Sequence, residues 1–454
     1  MDTRYYTSKD LARTVFSELK ARKLSHPRLN NLISLFQSLY SASLHSEESR
    51  PITFDIVYLN PKDPDPKPPP NIRLARWKYF RLSETLPLTV ANLIKISKAS
   101  DPRTSSLAVY HDDKSNKQYL WGLIDHGIEY YEFSNYDSDQ GPERPGLFQV
   151  GILGTGHLTV LIDYERIAEL RIDKLVLNSL DVFYFGPVKQ RLTPGIQTYL
   201  RKTKASLPAP LRKLCSGWES SLIYDWTSTL QRLLLRIQTF HHGGAFVIAT
   251  QRVPTGLNIK YQLQYRRLQT AIATRARLTI RNRHFLEKSS DYMETNADSL
   301  PMDFYLDESI TANETRDNDN EVDGAIWFVS LLTRVDGLVL MDQNLSVKGF
   351  GVEITYDEEP EGVFMAGDRD GSRQLLRRVD YNHYGTRHRS MMRYCANVPG
   401  SLGFVVSQDG DVRIMTQVHG RLVMWENIKL QVPYFVNQLY CGHCGLPKHP
   451  ERHH

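Results

Sequence analysis

Three short runs between Val335 and Arg413 carry residue types that could bind and transform a phosphorylated ligand. The first, Asp336-Gly337-Leu338, closes the helix-like run Ala325 to Thr333 and opens the apolar run Leu338 to Met341. A carboxylate at the mouth of a strand, followed by glycine, can hold a divalent metal while backbone approaches a ligand closely. The second, Gly385-Thr386-Arg387-His388-Arg389, places a hydroxyl, two guanidinium forks and an imidazole within one turn of chain. That is a dense donor set for a polyphosphate, because arginine matches phosphate oxygens bidentately. The third, Gly403 to Gly410, reads as a buried strand running into a turn, and Ser407 at its end can floor a pocket for a base or a phosphate. Taken singly, each has a plainer reading: Asp-Gly is commonly a turn, and Arg-His-Arg a solvated face.

Together and in this order the runs resemble the diadenylate cyclase domain, a nucleotidyltransferase fold that makes cyclic di-AMP from two ATP. That family carries Asp-Gly-Ala, then Gly-Thr-Arg-His-Arg, then a strand ending in Ser-Glu. The likeness reaches back to the helix Trp226 to Phe240, with apolar Leu230, Leu233, Leu234 and Ile237, and to the strand-like run Gly243 to Ala249. It covers Ser221 to Leu430. The resemblance implies that each subunit of a face-to-face pair binds one ATP, so the expected assembly is a homodimer or larger homo-oligomer. It further implies that Asp336 is the catalytic residue, holding magnesium or manganese and helping the ribose 3′-hydroxyl attack the partner's α-phosphate. Gly385, Thr386, Arg387, His388 and Arg389 would hold the triphosphate and the leaving pyrophosphate. Ser407 would touch phosphate, and Gly337 with Leu338 would line the base and ribose pocket.

Three departures bear on activity. Leu338 stands where the family has alanine, and Gln408 stands where it has glutamate, although Asp409 follows. About fifty residues separate Asp336 from Thr386, including an acidic insert around Glu358, Glu359 and Glu361. These differences support nucleotide binding more firmly than turnover. The alternative function is therefore a module that binds ATP or a cyclic dinucleotide without turning it over.

The elements that must position these runs belong to a chain of 454 residues, 41% hydrophobic and 24% charged, which is ordinary globular composition for two or three domains. A net charge of +5 is small for this length and gives no argument for nucleic acid as a partner. No apolar run approaches the roughly 18 residues of a membrane span, and Met1-Asp2-Thr3-Arg4 leads into no signal-peptide core. Four cysteines do not make a disulfide framework, so the expected location is cytoplasmic.

Two amphipathic helices open the chain. Ser8 can cap the first, which carries Leu11, Val15, Phe16 and Leu19; Pro27 separates it from a second carrying Leu29, Leu32, Ile33, Phe36, Leu39 and Tyr40. A Glu47-Glu48-Ser49-Arg50-Pro51 turn and the strand Ile52 to Leu59 follow. This arrangement resembles the sensor region, of the DACNV kind, that precedes diadenylate-cyclase-like domains. Its charges read equally as a solvated helix end with a local ion pair. Pro61 to Pro70 is a proline-rich surface loop. Leu107 to His111 and Tyr119 to Ile124 flank a hairpin turn, and Phe148 to Leu153, Leu158 to Ile162 and Ile167 to Ile172 continue as a meander. Gly151, Gly154 and Gly156 belong to a hairpin and not to a phosphate loop, because a strand follows them and no lysine stands at the required spacing.

Lys189 to Lys213 is basic and broken by proline, and is expected as a linker. Arg266, Arg267, Arg275, Arg277, Arg281 and Arg283 form either a charged element face or a positive rim that draws ATP toward the pocket. Ser289 to Glu321, acidic and polar, is expected as a mobile loop. At the end of the chain Cys441 and Cys444 have zinc-knuckle spacing that His449 or His453 could complete, with a redox pair or a plain tail as alternatives. The expected fold class is α/β. An α+β sensor-like domain over residues 1–215 precedes a mixed sheet flanked by helices over 221–440, with the Cys/His tail at 441–454.

Overall fold

The computed structural model describes residues 5–21, 23, 27–47, 50–65, 77–128, 147–162, 165–177, 179–240, 242–250, 255–295, 300–408 and 410–430. The Cys/His tail and Asp409 lie outside these residues. The chain forms two compact units, residues 1–179 and 180–454.

In the first unit, helices α1 (Ser8–Ala21) and α2 (Leu29–Ser43) precede a two-stranded hairpin of β1 (Ser46–Glu47) and β2 (Arg50–Pro51). Then come β3 (Phe54–Tyr58), β4 (Lys78–Pro87), α3 (Val90–Ser97), β5 (Ser105–Asp112), β6 (Lys117–Asp125), β7 (Phe148–Gly154), β8 (His157–Ile162), β9 (Glu165–Arg171) and β10 (Lys174–Val176). Thr7, and not Ser8, stands at the start of α1: its backbone N–H donates to the Asp10 carboxylate, and its hydroxyl hydrogen-bonds the same oxygen. Ser8 is instead buried. The eight-stranded sheet runs β10-β9-β8-β7-β3-β5-β6-β4 and is antiparallel except where β3 meets β5. Alternation along the strands splits its core. Phe54, Ile56, Val150 and Leu158 pack under α1 and α2, while Val57, Ala108, Trp121 and Ile124 cluster on the other face.

The second unit begins with α4 (Gly186–Ser206), α5 (Ala209–Cys215) and α6 (Glu219–Gln238), then β11 (Gly244–Ala249) and β12 (Leu257–Tyr265). Two long helices follow, α7 (Arg267–Thr295) and α8 (Met302–Leu332). The remaining elements are β13 (Leu338–Asp342), β14 (Val347–Ile354), β15 (Val363–Ala366), β16 (Leu376–Val379), α9 (Thr386–Asn397), β17 (Leu402–Val406), β18 (Val412–Val418) and β19 (Arg421–Trp425). The nine-stranded sheet has the order β12-β14-β13-β11-β17-β18-β19-β15-β16, with β11–β13 and β15–β19 parallel. Phe246, Ile248, Val339, Met341, Phe404 and Ile414 face α4, α6, α7 and α8. Ala245, Val247, Leu338, Leu340, Val405 and Met415 face α9 through Met391, Met392 and Cys395. Both units are thus mixed sheets flanked by helices. No helix among the described residues is long and apolar enough to cross a membrane.

Two expectations fail here. The basic segment Lys189 to Lys213 is helical and belongs to the second unit, because Val188, Leu192, Ile196, Tyr199 and Leu200 recur at helical spacing and enter its core. Nor is Ser289 to Glu321 a mobile loop, since most of it lies in α7 and α8. The acidic composition of α8 is matched by the arginines of α7 and α6. Arg281 meets Glu314 at 2.7 Å, Arg275 meets Asp319 at 3.1 Å, and Arg267 and Arg232 pair with Glu321 and Asp323. Of the two readings of the Arg266–Arg283 run, the paired helix face is therefore the one found for Arg267, Arg275 and Arg281.

Candidate functional site

Strand register brings the three runs to one edge of the second sheet. In the parallel pair β11–β13, Phe246 is level with Val339, so Gly243 and Asp336-Gly337 precede their strands at the same edge. In the antiparallel pair β11–β17, Gly244 faces Val406, which puts Ser407 beside Gly243. The first turn of α9 completes the group: Arg387 Nη1 lies 3.0 Å from where a Cβ on Gly243 would stand, and the Val406 carbonyl and Gln408 N–H border the same spot. Gly243 has φ +73°, so glycine both turns the chain there and leaves space for the guanidinium. Asp336 lies across β11 from Ser407, two strand spacings or roughly 10 Å away. Of the Gly385–Arg389 run, Arg387 reaches the spot beside Gly243 that Val406 and Gln408 border, next to Ser407; Asp336 shares the edge but stands apart.

Each side chain of the second run has a distinct setting. Gly385 is the N-cap of α9 in extended conformation, with nothing within 4 Å of a Cβ placed on it. Thr386 is exposed. The N–H groups of His388 and Arg389 turn back to the Gly385 carbonyl, while those of Thr386 and Arg387 have no acceptor within the helix. Arg387 and Arg389 are half-buried, and neither is in an ion pair among the described residues. Arg389 Nε is buried without a hydrogen-bond partner. Arg389 lies close enough to the Glu359 carboxylate to act on it, and Arg387 stands beside the first turn of the helix, a setting of the kind that suits an anion.

His388 has a different task from its neighbours. It is buried, and Arg413 Nη1 lies 3.0 Å from its Nε2. A guanidinium can only donate, so Nε2 is the acceptor and the ring proton sits on Nδ1. Burial, reinforced by Arg413, lowers the His388 pKa to about 4, which keeps the ring neutral. Arg413 in turn donates to Glu426 at 2.7 Å and to Asp411 at 3.3 Å, and lies over the Tyr384 ring. Tyr384, Asp411, Arg413 and Glu426 therefore support the first turn of α9 from beneath. None of the four stands out in the sequence; the available signal was a lone arginine inside the apolar alternation of β18. Ser407 closes a tight loop, its Oγ accepting from Asp411 N at 3.0 Å.

At the other end of the edge, Asp336 is exposed. Lys260 is held charged, first by its 2.6 Å ion pair with Glu353 and in smaller part by Asp336. Gly337 has φ +105°, and the backbone of Gly351 and Val352 on β14 fills the space beside it. Leu338 is 4% exposed and packs with Val247 and Leu340 under α9, inside the core. Among the described residues no group of three or more His, Cys, Asp or Glu side chains could hold a metal ion. Asp336 by itself is a single exposed carboxylate, too few donors to cage a metal ion.

No curated protein matches the chain. Residues 22–125 match the model of a family described as "Probable sensor domain DACNV", so the N-terminal part of this chain is similar to a probable sensor domain.

Proposed function

We propose that the second unit binds ATP at this edge and condenses two ATP molecules into cyclic di-AMP, under control of the N-terminal sensor region. The observation that carries the reading is the approach of Arg387, from the first turn of α9, to Gly243 between Val406 and Gln408, with Ser407 and Asp336 at the same edge of the sheet. The match of residues 22–125 to a probable sensor domain supports an output domain under control, and the resemblance of the second unit's motifs to diadenylate cyclases supplies its kind. Arg387 and Arg389 hold the triphosphate, and His388, kept neutral and fixed by Arg413, orients the turn that carries them. The 3′-oxygen of each ATP, giving up its proton to solvent, forms a bond to the α-phosphorus of the other as the bond from that phosphorus to the oxygen of its β-phosphate breaks. Two such transfers close the ring, and two pyrophosphates leave. Positioning and charge neutralisation are the main requirements of such a transfer. Asp336 would hold magnesium or manganese, which would supply charge neutralisation at the reacting phosphate. Each site holds one ATP, so the active assembly is a face-to-face homodimer. Purified protein incubated with ATP and either metal, analysed by mass for a cyclic dinucleotide, tests the activity.

A second reading has its own support. Gln408 lacks the carboxylate expected there and is exposed, and Lys260 stands close enough to Asp336 to feel its charge. Both features suit a module that binds ATP or a cyclic dinucleotide without turnover. The two readings share the phosphate clamp. Changing Arg387 and Arg389 together to alanine should weaken ATP binding at least tenfold, about 1.4 kcal/mol. Calorimetry on the folded double variant measures this, and unchanged affinity would sink both readings.

A further inference from the structure

We infer that the face of the N-terminal sheet opposite α1 and α2 holds a recess for a small amine that also carries an oxygen acceptor, an α-amino acid in the first instance, bound between Asp55 and His126. Asp55 on β3 faces Gly151 on β7, and Val57 faces Gln149, so Asp55, Gly151 and Gln149 share this face. The parallel register of β3 and β5 sets Ser106 next to Asp55. The Asp55 carboxylate lies across Gly151: a Cβ there would stand 2.5 Å from Oδ1 and 3.0 Å from Thr159. Asp55 makes no hydrogen bond or ion pair among the described residues. It is deeply enclosed by protein, yet it keeps accessible surface. Asp55 is thus a carboxylate with no partner among the described residues, set among side chains of one sheet face.

His126, at the end of β6, supplies the second group. It is 6% exposed and reaches over β3, its Nε2 2.8 Å from Ser106 Oγ and 3.5 Å from Gln149 Nε2. With a hydroxyl and an amide nitrogen both turned toward Nε2, that atom accepts and the proton sits on Nδ1. Nδ1 is buried without a partner. Burial holds His126 neutral, its pKa lowered to about 4. Unpartnered buried polar groups are expensive, and proteins retain them where a ligand completes them. Here the missing partners are a donor for Asp55 and an acceptor for Nδ1–H.

Among the described residues, the neighbours of Asp55 named by register, contact or charge are neutral or acidic. Ser106, Gln149 and Thr159 carry no charge, Asp101 pushes the Asp55 pKa up in addition to burial, and Asp125 lies close enough to His126 to act on it. The sign of this field favours a cation. Burial and Asp101 raise Asp55 to about 7, so the ligand-free carboxylate is only partly ionised near neutrality. A protonated amine binds the ionised form, and its affinity should rise as pH goes from 6 to 8.

The inference rests on the sensor reading of the N-terminal region and needs no nucleotide chemistry, so its test is separable from that of the cyclase. The full chain is titrated calorimetrically, without ATP, with free α-amino acids and with their N-acetyl forms. At least one free amino acid should bind, more tightly at pH 8 than at pH 6, and its N-acetyl form should not. Asp55→Asn should lose that binding at least tenfold. An acid whose pKa is raised in the folded state destabilises the fold above its unfolded value, so Asp55→Asn should melt no lower than the parent at pH 8. His126→Gln, which cannot offer Nδ1–H in the same place, gives the second variant. No heat with any amino acid, or equal affinity in Asp55→Asn, would overturn the site.

Discussion

Changing Asp336 to asparagine should lower cyclic di-AMP formation several hundredfold or more while leaving ATP affinity close to that of the parent. The substitution keeps size and hydrogen-bonding reach and removes only the charge. Asp336 is exposed ahead of β13, and β11 separates it from the α9 turn that carries Arg387 and Arg389. Loss of its charge therefore leaves the phosphate clamp intact. Lys260 keeps its Glu353 partner, so the variant strands no cation beside the site. Parent activity should also rise more than linearly with protein concentration until the facing pair is saturated, because each half-site contributes one ATP. Full activity in Asp336→Asn would reject the mechanism even with the product confirmed. A parent protein that binds ATP but makes no cyclic dinucleotide with either metal, at any concentration, would leave the binding module as the function.

Local periodicity carried much of the fold. The apolar faces of α1, α2 and α6, the β5–β6 hairpin and the β7–β8–β9 meander are all visible as spacing. Of helix α8 only the end, from Ala325, was visible; the longer part before it was not, for a physical reason. Its inward line uses Thr311 and Asn318 where apolar residues would have marked a helix, and much of its polar surface is matched by arginines on α6 and α7. A window of sequence shows the acids of α8 without their partners, and so reads as a solvated loop.

The site shows the same limit. Gly385 to Arg389 is contiguous and was legible as a donor set. The support beneath it was not, because Tyr384, His388, Arg413 and Glu426 come from a 3-10 turn, a helix and the ends of two strands. Residue type alone put His388 among the groups on the phosphate; its Nε2 is instead engaged with Arg413. Gly243 could be seen as part of a strand opening, but its role in admitting the Arg387 guanidinium depends on the packing of α9.

The glycines of the two runs separate fold from function, and replacing each by alanine should give opposite results. Gly337→Ala should destabilise the second unit by about 3 kcal/mol or more, lowering its Tm by roughly 6–12 °C. Two costs combine there. At φ +105° an L-residue is strained, and the new Cβ would stand 2.7 Å from Gly351 C and 2.8 Å from Val352 N, backbone atoms of β14 that cannot rotate away. Gly385→Ala meets neither cost. Its φ of −61° suits any residue, and nothing lies within 4 Å of the added methyl. Replacing an N-cap glycine by alanine costs only a few tenths to about 1 kcal/mol, so this variant should melt within a few degrees of the parent. The open space at Gly385 lies beside the free N–H groups of α9, where the triphosphate is proposed to sit. A methyl group there should weaken ATP binding without unfolding the domain. Thermal melts and ATP titrations of the two variants read the contrast. A Gly337→Ala protein as stable as its parent would contradict the close packing of β13 on β14, and undiminished ATP affinity in Gly385→Ala would move the phosphates away from the α9 N-terminus.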